Sequence, residues 1–243
     1  MQMALIGNDS AAWRLEVPPA DEELLPGLSW GRVCVPNTPA YWAAMCRWPM
    51  DHGRDFVSQT GSIVEEIGFC LLGGYGIRYE VNAAAFERLR TLGAFDLSTD
   101  CDEATIRTAL LEPLRIGQGV RRYRFPNQRA SRIAVMRRMA ADLVVDGLDD
   151  RELRDALTTI PGVGPKTASW IVRNLTGSDE VAIIDVHVLR ACRGMGLFPE
   201  VSTLPRDYGP LEDRFLRFAG ALGVRASILD AVIWTEMRDA PPN

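Results

Sequence analysis

The chemistry most clearly encoded in this 243-residue chain is that of one primary amine, the side chain of Lys166. The chain has 27 lysine and arginine residues, and all of them except Lys166 are arginines. The guanidinium of arginine keeps its proton at any workable pH. Arginine replaces lysine wherever only positive charge is needed, but it cannot attack carbon as a neutral nucleophile. The lysine is therefore a candidate nucleophile. The alternative is a lysine that survives by chance and contacts a phosphate.

The sequence around this lysine predicts two helices joined by a tight, anion-binding turn over residues 157–167. The turn lies in the string IPGVGPKTA, residues 160–168, where Gly162 and Gly164 allow the backbone to turn and a ligand to approach closely. Pro165 suits the first position of the second helix. The N–H groups of the turn and of the helix start then point outward, where they suit a DNA phosphate. The residues predicted to make this contact are Gly162, Val163 and Gly164.

An acid downstream of the lysine is the second candidate for chemistry. Asp185 lies in the string IIDVHVLR, residues 183–190. A carboxylate at this place is suited to stabilise a developing positive charge. It is also suited to cap a helix that begins at Val186. The residue types alone leave both interpretations open.

The two strings together resemble the helix-hairpin-helix DNA glycosylases, most specifically over residues 157–198. The resemblance extends more loosely over residues 54–238 as an order of helices, and it implies that Lys166 and Asp185 are the catalytic pair. It implies no iron–sulfur cluster, because the cysteine quartet that binds one in another branch of the family is absent. The DVH spelling is similar to the 8-oxoguanine glycosylase branch. The five cysteines are scattered and form no C-x-x-C pair: Cys34, Cys46, Cys70, Cys101 and Cys192.

This pair of residues fits the cleavage of an N-glycosidic bond. Breaking that bond builds positive charge on the deoxyribose, which a carboxylate close to C1′ stabilises and a neutral amine can trap. The helix dipole disfavours the ammonium form of Lys166, and the base must leave the duplex before either group reaches C1′. We expect a DNA glycosylase with β-lyase activity that excises a damaged or modified base, in the first place 8-oxoguanine. The alternatives are the same chemistry on a bulky modified pyrimidine, and a hairpin module that binds DNA without chemistry.

Three residues are candidates for the base pocket. Trp170 lies one helical turn after the lysine, so it forms either a wall of the pocket or part of the core. Asp230 and Trp234 have the same spacing, and some archaeal 8-oxoguanine glycosylases have an aspartate and a tryptophan so placed. The resemblance implies that Trp234 stacks on the base and that Asp230 accepts from its N–H groups. The alternative for this pair is amphipathic helix packing.

The resemblance also implies further contacts to DNA and to a cation. Tyr75 follows an apolar helix where the family places its intercalating loop, although a simple turn with a buried tyrosine explains it equally well. Arg121 lies near the place where relatives read the orphaned partner base, and a phosphate contact is the alternative. His187 matches a contact to the backbone near the flipped nucleotide, or is a satisfied core or surface histidine. A monovalent or calcium-like cation is expected at the hairpin, bound by the backbone carbonyls of Thr158, Ile160 and Val163.

The charge distribution favours double-stranded DNA as the partner. The net charge is −5, yet residues 115–138 contain eight arginines and no acid. Tyr123 and Phe125 are interleaved among these arginines. This composition predicts a phosphate-tracking surface, with a merely solvated face as the alternative. We expect a monomer in a reducing cytoplasm, associated with the nucleoid when bound to DNA, because there is no membrane-length apolar run, secretory signal or paired-cysteine pattern.

The positioning elements are predicted to be helices. We expect an all-α glycosylase domain over residues 51–243, made of two helical subdomains with the active site in the cleft between them. An N-terminal extension over residues 1–50 is predicted as an irregular arm or small β-ribbon. Periodicity and capping signals predict helices over 56–72, 83–92, 98–114, 129–145, 149–157, 165–175, 186–195, 210–222 and 225–237.

Overall fold

The computed structural model describes residues 1–8, 11–47, 61–74 and 76–238, which are mainly helical, as predicted. No helix within these residues is both long and apolar enough to cross a bilayer. The helices are α1 Pro39–Arg47, α2 Ile63–Leu72, α3 Tyr79–Thr91, α4 Glu103–Leu111, α5 Pro126–Ala141, α6 Asp150–Leu157, α7 Pro165–Thr176, α8 Val186–Gly194, α9 Tyr208–Leu222 and α10 Ala226–Arg238. The strands are β1 Gln2–Asn8, β2 Ala11–Val17, β3 Glu23–Leu25, β4 Leu28–Ser29, β5 Leu114–Ile116 and β6 Gly119–Arg121.

The strands form three antiparallel two-stranded sheets, β1–β2, β3–β4 and β5–β6. The first two confirm the β-ribbon that was predicted near the N-terminus. In β1–β2 the register runs from Gln2 opposite Val17 to Asn8 opposite Ala11. The third hairpin was not predicted. Its strands have three residues each and lie where the helix over 98–114 was expected to end.

Four predicted helix starts were wrong. The helices expected from residues 83 and 129 begin earlier, at Tyr79 and Pro126. Two others begin later than expected, because side-chain caps set the actual first residues. The helix expected from residue 56 begins at Ile63, where the Ser62 hydroxyl accepts a hydrogen bond from the Glu65 N–H; residues 56–60 lie outside the described chain. The helix expected to be capped at residue 98 or 99 begins at Glu103. There the Asp102 carboxylate accepts from the N–H of Thr105 at 2.8 Å, and a charged cap stabilises the helix start.

The chain divides into two units, and unit 1 comprises the described parts of Met1–Val57 and Thr176–Asn243. Its core joins residues from both ends of the sequence, including the buried Trp42 of α1 and Phe215 of α9. Asn37, in the left-handed conformation at φ 61°, connects α1 to α8 through hydrogen bonds. It accepts from the Trp42 indole at 3.1 Å and donates to the Ala191 carbonyl in α8 at 3.1 Å. The N-terminal segment is thus part of the same core as α8, α9 and α10.

Unit 2 is the continuous segment Ser58–Leu175, which contains α2 to α7 and the β5–β6 hairpin. Helix α5 packs on α2 and on α4, and α3 packs on α2. Leu71, Leu89 and Ile133 are completely or almost completely buried among these helices. Helix α6 begins with a capping box, in which Asp149 and Glu152 each accept a hydrogen bond from the other's backbone N–H. That start and the end at Leu157 confirm the prediction for this helix.

Candidate active site

The turn between α6 and α7 is tight and depends on glycine at position 162. The Val163 N–H donates to the Ile160 carbonyl at 2.9 Å, and Gly162 has φ +97°. A Cβ on Gly162 would lie 2.9 Å from Cδ of Arg132 and 3.1 Å from Cδ2 of Leu71, so only glycine fits. The predicted hairpin is confirmed, and its turn rests on α5 and on the last turn of α2.

The other glycine of the turn leaves an open backbone surface. A Cβ on Gly164 would meet no atom within 4 Å. The first backbone bond of α7 runs from the Ala168 N–H to the Gly164 carbonyl at 2.9 Å. The N–H groups that precede Ala168 therefore have no partner within the helix, which is the arrangement that binds anions. Of the three residues predicted to contact a phosphate, Val163 directs its N–H inward, to the Ile160 carbonyl.

Three backbone carbonyls of the hairpin, those of Thr158, Ile160 and Val163, are expected to bind a cation. Thr158 is the C-cap residue of α6, and Ile160 and Val163 follow it in the turn. The Ile160 carbonyl already accepts one hydrogen bond and has a second lone pair for a ligand. No group of three or more metal-ligating side chains occurs in the described part of the chain. Backbone oxygens are thus the ligands that the hairpin offers.

Lys166 lies in the first turn of α7, half-buried, beside Trp170. Its Nζ is 5.6 Å from the centroid of the Trp170 ring, within the range of a cation–π contact. Trp170 is 39% exposed, so core packing does not explain this residue. The structure therefore brings together the amine and one of the three predicted pocket residues. The ring leaves part of its surface accessible to a ligand.

Cys70, on α2, is a neighbour of the amine that sequence reasoning missed. Burial raises the pKa of the Cys70 thiol above its usual range, and the Glu66 carboxylate raises this pKa further, while Lys166 opposes both effects. The thiol is therefore protonated at neutral pH. In the sequence, Cys70 lies on an apolar helix, four residues after Glu66. Nothing in this position predicted that the thiol would lie near Lys166. The last turn of α2 thus lies beside both the hairpin turn and the amine.

Two buried side chains fix the end of α2. The Tyr123 hydroxyl donates to the Leu72 carbonyl, and Nη2 of Arg129 donates to the Gly73 carbonyl at 2.8 Å. Tyr75, the predicted intercalating residue, lies outside the described residues. The chain just before it is therefore anchored by side chains that the sequence assigned to a phosphate-binding surface.

The interpretation of residues 115–138 as one phosphate-tracking surface is wrong for part of this segment. Arg129 is buried against α2, and the Arg137 guanidinium donates to four backbone carbonyls between Gly93 and Thr99. Arg121, in β6, is exposed, and among the described residues its guanidinium donates to the neighbouring Val120 carbonyl alone, at 3.1 Å. The sequence did carry a signal for Arg129, since this residue lies four positions before the buried Ile133 on the apolar face of the helix.

In unit 1, Asp185 is the N-cap residue of α8. Its Oδ1 accepts from the N–H groups of His187 and Val188, both at 2.9 Å. The capping interpretation is therefore correct. The side chain is only half-buried, and within the described chain Oδ2 accepts no hydrogen bond, so that oxygen remains available for chemistry. His187 is half-buried in the first turn of α8, which excludes a core histidine.

The other two predicted pocket residues, both on α10, have different surroundings. Asp230 is buried, and its Oδ2 accepts from the N–H of Ile183 at 3.0 Å, two residues before Asp185. Trp234 is 37% exposed, and the Arg238 guanidinium lies 4.8 Å from the centroid of its ring. Simple amphipathic packing accounts for neither residue, because the acid is the buried one and the tryptophan is the exposed one.

Comparison with known proteins gives consistent matches. The family model described as 8-oxoguanine DNA glycosylase matches residues 54–224. The chain is similar to the 8-oxoguanine DNA glycosylase/AP lyase of Metallosphaera sedula, with 35% identity over 116 residues that cover 46% of this chain and 57% of that protein. For the protein of the same name from Methanocaldococcus jannaschii, identity is 34% over 117 residues, which cover 46% and 56%. The chain thus spans little more than half the length of these curated relatives.

Solved structures support the same fold. The 8-oxoguanine DNA glycosylase of Thermotoga maritima matches with a TM-score of 0.52 and 25% identity, over 74% of this chain and 82% of that one. The M. jannaschii 8-oxoguanine glycosylase/lyase in complex with 15mer DNA containing 8-oxoguanine has a TM-score of 0.55 and 23% identity, over 79% and 88%. Because the family model covers most of its residues, the chain belongs to the 8-oxoguanine DNA glycosylase family.

Proposed function

We propose that the chain excises 8-oxoguanine from double-stranded DNA and then cleaves the strand at the abasic site. The observation that carries the proposal is the only lysine of the chain, at the start of α7, directly after the tight glycine-containing turn and beside an exposed tryptophan. Phosphate binding alone does not need an amine in a chain that otherwise uses arginine. The two relatives are 8-oxoguanine DNA glycosylase/AP lyases, and that activity agrees with this chemistry.

In the proposed reaction, Lys166 and Asp185 act on one flipped nucleotide. The bond between C1′ and the base breaks, and its electron pair leaves with the base. The Asp185 carboxylate stabilises the positive charge that develops on the sugar, while the neutral amine forms a bond to C1′ and then passes a proton to the departing base. The sugar ring opens to a Schiff base. Loss of a proton from C2′ then expels the 3′ phosphate by β-elimination.

The pocket and the DNA contacts are part of the same proposal. Trp170 and Trp234 are assigned to the walls around the base, and Asp230 to its N–H groups, although its Oδ2 already binds Ile183. DNA contacts are assigned to the hairpin, to a monovalent or calcium-like cation on its carbonyls, and to three further residues, Tyr75, Arg121 and His187.

Borohydride trapping on an 8-oxoguanine duplex tests the amine. The wild-type protein should form a covalent complex, and Lys166→Gln should not. Lys166→Arg is the matched control, because it keeps the positive charge and removes the nucleophile, and it should also fail. Trapping by either variant would refute the assignment of Lys166.

Substrate choice is tested separately with a panel of duplexes that each contain one altered base. Preferential strand cleavage at 8-oxoguanine supports the proposed substrate. Preferential cleavage at a bulky modified pyrimidine would move the same chemistry to that base. Binding without cleavage of any duplex would show a hairpin module that only binds DNA.

A further inference from the structure

The three residues that precede Asp185 are held by buried side chains from two later helices. The Ala182 N–H donates to Oε1 of Glu212 at 2.9 Å, and the Ile183 N–H donates to Oδ2 of Asp230 at 3.0 Å. Glu212 belongs to α9 and Asp230 to α10. Two carboxylates therefore fix two consecutive peptide groups, in a segment that is neither helix nor strand.

Tyr208 completes this arrangement from the start of α9. Its hydroxyl donates to the Ala182 carbonyl at 2.6 Å and lies 3.3 Å from the Ile184 nitrogen, whose N–H donates to it. One phenol thus connects the backbone on both sides of Ile183. Three of the four hydrogen bonds bind the peptide N–H groups of Ala182 to Ile184, and the fourth binds the Ala182 carbonyl, all immediately before the proposed catalytic carboxylate.

The burial of these side chains indicates a specific role. Tyr208, Glu212 and Asp230 are only 3%, 1% and 2% exposed. Burial of a polar group is unfavourable unless the group is hydrogen-bonded. The free-energy cost is larger still for a carboxylate. An apolar contact would have filled the same space at lower cost, but it would not define the direction of the backbone. Hydrogen bonds do define that direction.

The carboxylate of Asp185 is consequently fixed from two sides. Its backbone follows the segment held by Tyr208, Glu212 and Asp230, and its own Oδ1 is bound to the first turn of α8. Rotation of the preceding peptide groups would move the other oxygen, which has no bond within the described residues. Catalysis is sensitive to such movement, since a misplacement of 1 Å can reduce a rate about 100-fold.

We propose that Tyr208, Glu212 and Asp230 are positioning residues, which set the Asp185 carboxylate for cleavage of the glycosidic bond. This inference rests on the proposed function. In this role Tyr208 and Glu212 contact neither the base nor the sugar, and the hydrogen bond of Asp230 to Ile183 is separate from its proposed contact with the base. Their effect is confined to cleavage of the bond between C1′ and the base, which needs the Asp185 carboxylate. Attack of the amine on a preformed abasic site does not need this carboxylate.

Two tyrosine variants test the proposal. Tyr208→Phe removes the hydroxyl and keeps the ring. Tyr41→Phe is the matched control. The Tyr41 hydroxyl also makes a part-buried hydrogen bond within unit 1, to Oε2 of Glu236 at 3.3 Å, but it does not bind the segment before Asp185. Single-turnover excision at saturating protein should fall about 10- to 100-fold for Tyr208→Phe and stay unchanged for Tyr41→Phe. DNA affinity and borohydride trapping on a preformed abasic duplex should be unchanged in both.

A second pair of variants covers a failure of Tyr208→Phe to fold. Glu212→Gln keeps an oxygen that can accept from the Ala182 N–H and should excise at nearly the wild-type rate, whereas Glu212→Met should lose excision and keep trapping. Equal excision by Tyr208→Phe and wild type would overturn the inference, as would a proportional loss of excision and trapping. A wild-type protein that excises no base refutes the proposed function as well, while wild-type excision with unaffected variants refutes only the positioning role.

Discussion

Asp185 caps α8 and is proposed to stabilise charge on the sugar, and different substitutions can separate these two tasks. Asp185→Asn removes the charge but keeps a side-chain oxygen that can accept from the N–H groups of His187 and Val188. Asp185→Ala removes both the charge and the cap. Since the two hydrogen bonds at 2.9 Å share Oδ1, only one oxygen is needed for the cap.

The size of each effect follows from this geometry. Loss of an N-cap side chain costs about 0.5–2 kcal/mol in the free energy of unfolding, and 1 kcal/mol shifts the Tm of a protein of this size by about 2–4 °C. Asp185→Ala should therefore lower the Tm by several degrees. Asp185→Asn should change it little, because asparagine caps about as well as aspartate.

The catalytic effect should be the same in both variants. Loss of a preorganised group that stabilises transition-state charge costs about 10²–10³ in rate. Single-turnover excision from an 8-oxoguanine duplex, with protein in excess, measures that rate, and thermal unfolding measures the cap. Excision by Asp185→Asn at the wild-type rate would refute the charge-stabilising role. An unchanged Tm for Asp185→Ala would refute the assigned cap.

Two further predictions concern the hairpin and the thiols. Gly162→Ala should destabilise the protein by about 1–3 kcal/mol, because alanine is strained at φ +97° and its Cβ would overlap an arginine side chain. Gly164→Ala, with open space around the Cβ, should melt like the wild type, and equal Tm values for all three proteins would contradict the structure. At pH 8, iodoacetamide should modify the exposed Cys34 and spare Cys70, because burial raises the pKa of the Cys70 thiol and keeps it protonated. Mass spectrometry that finds Cys70 labelled first would contradict this prediction.

Local sequence rules were sufficient where the determining contacts are local. The capping box of Asp149 and Glu152, the proline at the start of α7, and the N-cap at Asp185 all involve residues within a few positions of each other. The helices that begin at these signals were predicted to within one or two residues. Two glycines and a proline also predicted the turn between α6 and α7.

Contacts distant in sequence explain what could not be predicted. Arg129 binds the carbonyl of Gly73, 56 positions away, and Asp230 binds the N–H of Ile183, 47 positions away. Charge made the first residue resemble a phosphate ligand, and its place on the apolar face of α5 indicated burial but not the partner. The resemblance assigned the second residue to the base, and neither it nor the spacing from Trp234 indicated the bond to Ile183. Only the packing of α5 on α2 and of α10 on α8 reveals that both side chains support backbone.

The assembly of unit 1 from both ends of the sequence has a consequence for biosynthesis. Residues 1–47 are synthesised before α8 to α10, the helices that contribute to the same core. Unit 2 is continuous and can fold as soon as it emerges, because domains generally fold as units during synthesis. Trp42, which is buried in the finished protein, stays exposed to solvent or chaperones through most of translation. A nascent chain that stops before α10 leaves this tryptophan uncovered, so such products should be the preferred targets of quality-control proteases.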